Sequence, residues 1–138
     1  MEGIKDVIKK ILEHAVNAPS GNNSQPWKFE IRGNKIYILN VSDGDATPYN
    51  FDQKGSYIAH GALIENISII AGKYGYEIET ELFPDKNNLN IIAIITLEKR
   101  VVKEDPLFDH IMDRATNRRM YKKIPLKSEH RDDILKTE

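Results

Sequence analysis

The segment at positions 56–74, "SYIAHGALIENISIIAGKY", constrains the fold of this chain more than any other. Its small and apolar residues, Ile58, Ala62, Ile69 and Ala71 among them, run round most of a helix's circumference instead of along one stripe. A helix without a broad polar face has to be enclosed, so the remaining chain must wall it in on several sides. Gly75 follows it as a C-cap, the position where a left-handed residue closes a last turn.

The flanking segments supply those walls. Ile4, Val7, Ile8, Ile11, Leu12, Ala15 and Val16 recur at steps of three and four, with Lys5, Lys9, Lys10 and Glu13 opposite them. That spacing predicts an amphipathic first helix. Pro19 disfavours a helical conformation at Ala18, so the helix ends near Asn17. "WKFEI" and "KIYILNV" alternate as two strands of a hairpin, joined by "RGNK", in which Gly33 and Asn34 can take the positive φ of a tight turn. Residues 42–55 are rich in turn formers and read as irregular loop. "YEIETELF" and "LNIIAIITLE" are two further strands around the turn "PDKNN", and the nearly continuous apolar centre of the second predicts burial on both faces. A helix over 105–113 opens with Pro106, and another begins at Ser128 as N-cap. The order describes an α+β fold, with helices packed on a mixed, mostly antiparallel sheet, in a single domain spanning 1–138. The text stops at Glu138, a few residues into that last helix, which reads as a cut or as a short version of something longer.

Composition removes several function classes. Hydrophobic residues make up 40% and charged residues 30% of the 138 positions, a globular balance and not a disordered one. The formal net charge of −1 gives no global attraction to nucleic acid or to an anionic membrane. Without cysteine there is neither disulfide nor thiolate chemistry. The opening "MEGIKDVIKKILEH" interleaves charges where a signal peptide needs an unbroken apolar segment. No apolar run approaches the ~20 residues of a membrane span, so a cytoplasmic location is expected.

Two constellations carry chemistry. Between the first helix and the hairpin stands "NAPSGNNSQPW", where Ser20, Asn22, Asn23, Ser24 and Gln25 concentrate neutral donors and acceptors and Gly21 admits close approach to the backbone. Residues of these types also serve purely as turn formers, and composition leaves both readings open. Trp27 belongs to the core. The second constellation is "DRATNRRMYKK", the densest positive cluster, with Arg114, Arg118, Arg119, Lys122 and Lys123. In an extended segment the alternate positions Arg114, Thr116 and Arg118 share one face. Two guanidinium groups flanking a hydroxyl match a phosphate dianion, although basic runs more often stay solvated or pair with nearby carboxylates.

Other arrangements are weaker. His14, His60, His110 and His130 are scattered, and the grouping of Asp109, His110 and Asp113 has no second ligand pair at metal spacing. "SDGDATPYN" lacks the rhythm and closing Glu of a calcium loop. There is no Ser-His-Asp order, Walker motif or dinucleotide glycine fingerprint, and nothing beside the basic cluster suggests a nucleic-acid reader.

"APSGNNSQPW" resembles the "APS-x-x-N-x-QPW" signature of the FMN-dependent nitroreductase family, and "RATNRRMY" resembles its flavin-phosphate segment, with Thr116 in a serine's place. The loop precedes the arginine segment here. That order, with "IAHGALIENISIIAGKYGYEIETELFPD" between them, is similar to the Acg-like, fused-half branch, in which two nitroreductase-like halves share one chain. The resemblance implies a nitroreductase-like fold and an FMN held without a covalent bond between two subunits or two fused halves. It implies that Arg114, Thr116 and Arg118 hold the phosphate and ribityl chain. Pro19, Ser20, Gly21 and Asn23 line the flavin from the loop side, while Gln25 and Trp27 brace the loop. The implied activity is transfer of reducing equivalents from NAD(P)H to a nitro compound, a quinone or a similar small-molecule acceptor, by a homodimer, with no dedicated acid–base residue. The alternative is a flavin-binding or degenerate module with little turnover, because the C-terminal half of related proteins has no counterpart in the sequence. Residues 114–138 are then either the start of a second half or an arm exchanged within a dimer. Tyr49 stands near a position where this branch often has arginine, so nothing is transferred to the 42–55 loop.

Overall fold

A computed structural model describes residues 3–101 and 103–136. The first helix, α1, covers Ile4–Ala15 and buries Val7, Ile8, Ile11, Leu12 and Ala15, the stripe its spacing predicts. A hairpin follows, β1 (Trp27–Arg32) and β2 (Lys35–Asn40). Its turn uses positive φ at Gly33 (+62°) alone. Asn34 stays at negative φ and instead donates its side-chain amide to Leu97 O at 2.9 Å, tying the turn to the neighbouring strand.

The segment 42–55 is irregular as expected: its helical turns over Pro48–Gln53 are broken by an extended Phe51 and left-handed Asp52 and Gln53 before α2, Lys54–Lys73, begins. As expected, α2 is central. Leu63, Ile67 and Ile70 are fully buried, and each such side chain contributes roughly 1.5–3 kcal/mol of transfer free energy. Gly75, at φ +76°, closes the helix, and its carbonyl accepts Arg100 N–H at 3.0 Å.

Strands β3 (Tyr76–Leu82) and β4 (Ile91–Lys99) complete a four-stranded sheet of order β1-β2-β4-β3. The α+β expectation holds, and each pairing among the described strands is antiparallel. The register explains the layering. Phe29, Ile38, Ala93 and Leu82 stand in one row across the sheet, and Ile31, Ile36, Ile95 and Thr80 in the next. The buried members of these rows join those of α1 and α2 in one core. The opposite face carries Glu30, Tyr37, Ile94 and Glu81 in register. Burial of β4 on both faces is therefore only partial, since Ile94 is half-buried. A register shift between Ile38 and Leu39 skips Ile92, which joins the core beside Ala93, as a bulge permits.

Two expectations near the end of the chain are corrected. The helix expected over 105–113 is α3, Phe108–Ile111 only. Phe108 and Ile111 alone turn apolar surface inward, with Leu107 and Met112 exposed, so packing sustains a single turn. The last helix, α4, is Ser128–Leu135, with Lys127 at the cap position and no side-chain capping bond, so Ser128 is its first residue and not its N-cap. Each residue from 112 to 136 is exposed. This arm leaves Met120, Tyr121, Ile124 and Leu126 largely in solvent. Among the described residues no helix is long and apolar enough to cross a membrane.

Candidate flavin-phosphate cleft

Where α1 ends, the chain turns sharply. Asn17 donates its side-chain amide to His14 O at 2.9 Å, and Ala18, 2% exposed, anchors the start of the loop in the core. Ser20 is extended, and its Oγ accepts Gln25 N–H at 3.0 Å across the loop. Inside that span Asn23 N–H donates to Ser20 O (3.0 Å) and Ser24 N–H to Gly21 O (2.9 Å). Closing so small a ring drives Asn22 (φ 49°), Asn23 (57°) and Gln25 (48°) into the left-handed region. Asparagine tolerates it better than most residues, which is a physical reason for the paired asparagines.

The loop's exit is fixed by three contacts. Pro26 is fully buried, Val41 N–H donates to Pro26 O at 2.9 Å, and Trp27 meets the His60 ring edge-on with centroids 6.1 Å apart. His60 is completely buried, its Nδ1 2.7 Å from Ser56 O. Burial holds its pKa below the ordinary imidazole value, against the opposing pull of the Ser56 and Leu39 backbone. Trp27 and Gln25 thus brace the loop.

The arginine segment reaches this loop from 97 positions away: Arg114 Nε donates to Asn17 O at 3.2 Å. Arg114, Thr116 and Arg118 then line a cleft of about 580 Å³ together with Pro19, Ser20, Asn22 and Asn23. All three of these residues thus border the same cleft. Asn22 belongs to the lining although it was not among the expected site residues. Gly21 does not face this cleft. It lies with Pro19 and Ser20 on a second, smaller hollow of about 180 Å³, whose far side is Gly55, Ile58, Ala59 and Ala62 of α2. These α2 residues went unrecognised because nothing in an evenly apolar helix marks which of its faces meets a loop. Ile58, expected among the enclosed residues, is 76% exposed there.

Chemically the two hollows differ. The larger offers two guanidinium groups, two hydroxyls and two side-chain amides, and among the described residues neither Arg114 nor Arg118 has a carboxylate partner. That donor set suits a phosphate dianion with a hydroxylated chain. The smaller hollow is apolar on its α2 side, as the flat face of an aromatic ring requires. A third depression, on the outer sheet face, is walled by Glu77, Glu79 and Glu98, and Arg100 already pairs with Glu77 (3.4 Å) and Glu98 (2.8 Å) there. No group of three His, Cys, Asp or Glu suited to a metal ion occurs among the described residues.

Solved structures decide what frame this is. The chain superposes on a nitroreductase-like protein from Streptococcus mutans with a TM-score of 0.59 at 17% identity, over 74% of this chain and 81% of that one. The fold is nitroreductase-like. A provisionally named nitroreductase from Desulfovibrio desulfuricans, solved in complex with FMN, matches with a TM-score of 0.54 at 18% identity, over 84% and 88% of the two chains. Two proteins of Mycobacterium tuberculosis, both provisionally named NAD(P)H nitroreductases, are similar in sequence. Acg is 29% identical over 85 residues, which is 60% of this chain and 25% of Acg. Rv3131 is 23% identical over 123 residues, 88% of this chain and 36% of Rv3131. The resemblance read in the sequence is borne out, and the chain spans about a third or less of these relatives' length. No protein-family model matches the sequence. In the nitroreductase-like frame the polar loop and the arginine segment meet at one cleft, next to the N-terminal half of the central helix.

Proposed function

We propose that this chain is the flavin-binding part of an FMN-dependent oxidoreductase that passes reducing equivalents from NAD(P)H to a nitro compound, a quinone or a similar acceptor. The observation that carries the reading is the convergence of Pro19, Ser20 and Asn23 with Arg114, Thr116 and Arg118 on one polar cleft, in a fold shared with an FMN-bound neighbour. Arg114 and Arg118 would hold the phosphate through charge-assisted bonds, with the Thr116 and Ser20 hydroxyls and the Asn23 amide near the ribityl chain. Gly21, on the adjoining apolar hollow, gives the ring close access to backbone. When bound, the flavin supplies hydride chemistry, and the protein's part is binding, orientation and exclusion of water.

The working unit we propose is a homodimer with the flavin at its interface, in a cytoplasmic setting. The exposed side chains of Met120, Tyr121, Ile124 and Leu126 support an arm that packs against a second copy or a second half. Adding FMN, removing the excess and recording the visible spectrum tests the cofactor. NAD(P)H oxidation with a quinone or nitroarene then tests turnover. FMN uptake without oxidation of NAD(P)H would instead leave the cleft a flavin-binding site with little turnover.

A further inference from the structure

The left-handed residues of the loop need an outside support, because such conformations persist only where the surroundings over-determine them. The support lies in a segment to which the sequence assigned no role. Asp45 is 7% exposed, and a Cβ added to Gly21 would lie 2.5 Å from its Oδ2 and 3.5 Å from its Cγ. Its carboxylate cannot simply swing aside. Oδ1 accepts Thr47 N–H at 3.1 Å, and the Asp45 carbonyl accepts the Asn50 side-chain amide at 2.8 Å. Asn50, 5% exposed, is in turn fastened to the first turn of α2: it donates to Ser56 Oγ (3.0 Å) and accepts Ser56 N–H (2.9 Å). Buried contacts thus run from the central helix through Asn50 and Asp45 to the backbone of Gly21.

We infer that Asp45 is a positioning residue for the 20–25 loop. Fastened through Asn50 to α2, it fixes where the loop stands at the polar cleft, and its carboxylate is the reason that position 21 carries no side chain. Turning the carboxylate away would orphan the Thr47 amide, and the Asn50 bond to the Asp45 carbonyl fixes the backbone it hangs from, so the carboxylate acts as a wall and not as a flexible tip. The effect on cofactor affinity rests on the flavin reading above. The effect on the loop does not.

The test is a compensation cycle of Gly21→Ala, Asp45→Ala and the double variant, with Asp45→Asn as the conservative replacement. Hydrogen exchange at the Asn23, Ser24 and Gln25 amides reports the loop without flavin, and FMN affinity reports the cleft. Gly21→Ala is expected to speed exchange at these amides about tenfold or more and to weaken FMN by a similar factor, the scale of coupling between contacting residues. Adding Asp45→Ala to Gly21→Ala should return both readouts to within about threefold of Asp45→Ala alone, the non-additivity expected of residues in contact. Asp45→Asn, which keeps the shape and the acceptor for Thr47, should stay near the parent. Exchange at Leu63 and Ile67 in the core should not move in any variant, which separates loop placement from global stability. Strictly additive effects, or an Asp45→Asn variant as impaired as Asp45→Ala, would overturn the inference. Should Gly21→Ala not fold, rescue of soluble expression by Asp45→Ala gives the same answer, and no rescue contradicts it. If the parent takes up no FMN the proposed function falls while the exchange cycle still decides. If FMN binds and the cycle is additive, only the inference falls.

Discussion

Replacing Arg118 by alanine removes one of the two guanidinium groups from the polar cleft and leaves the loop wall intact. A charge-assisted hydrogen bond contributes about 1.5–3 kcal/mol, and an exposed arginine sits at the lower end because solvent screens it. The expected loss is therefore about ten- to thirtyfold in FMN affinity. Arg119→Ala is the matched control. It deletes the same charge from the next position, whose side chain does not line the cleft and whose amide bonds Asn117 Oδ1 at 3.0 Å. Its effect should stay within about threefold, the scale of a diffuse surface charge. Quenching of flavin fluorescence, titrated at low salt and again near 0.5 M, measures both. At the higher salt the Debye length falls below about 5 Å, so any diffuse contribution fades while the directed bond of Arg118 persists. Equal losses for Arg118→Ala and Arg119→Ala, both vanishing in salt, would refute the directed-bond reasoning. So would an unchanged affinity for Arg118→Ala.

Three further outcomes are expected. The unfolded His60 titrates near its ordinary pKa of about 6.5, and burial lowers the folded value, so its neutral form gives full stability above that pH and stability is lost as pH falls below it toward the folded pKa. Thermal melts from pH 8 down to 4.5 should show this loss, and His60→Leu should reduce it. Leu63→Ala empties a fully buried site on α2 and should cost about 2–5 kcal/mol in urea unfolding. Gly33→Ala, with φ at +62° and open space around a new Cβ, should cost about 1 kcal/mol through backbone strain alone, read from the same urea midpoints.

The parts of this molecule that could be read from its sequence are those governed by short-range rules. The stripe of α1, the alternation of β1 and β2, and the Pro19 stop each depend on neighbours a few positions away, and each is where it was expected. Arg114, Thr116 and Arg118, singled out by their alternate spacing, line one cleft together. Asp45 and Asn50 could not be found that way. They sit in a stretch whose composition says only "turn", and their importance comes from contacts with Gly21 and Ser56 that depend on the tertiary fold. Nor could the periodicity of 105–113 show that only Phe108 and Ile111 would meet the core and so limit α3 to a single turn. Asn34 illustrates the same limit at a turn, where a tertiary bond to Leu97 took the place of the local conformation its residue type allows.

The central claim, that the loop at 19–23 and the segment at 114–118 form one flavin site, is tested most directly by a single preparation. The protein is mixed with excess FMN, passed through a desalting column, and its spectrum recorded from the near ultraviolet to the blue, with Arg118→Ala beside it. The two flavin bands should travel with the parent protein at equimolar occupancy and be strongly reduced in the variant. A parent protein that elutes colourless, or a variant that retains the bands in full, would contradict it.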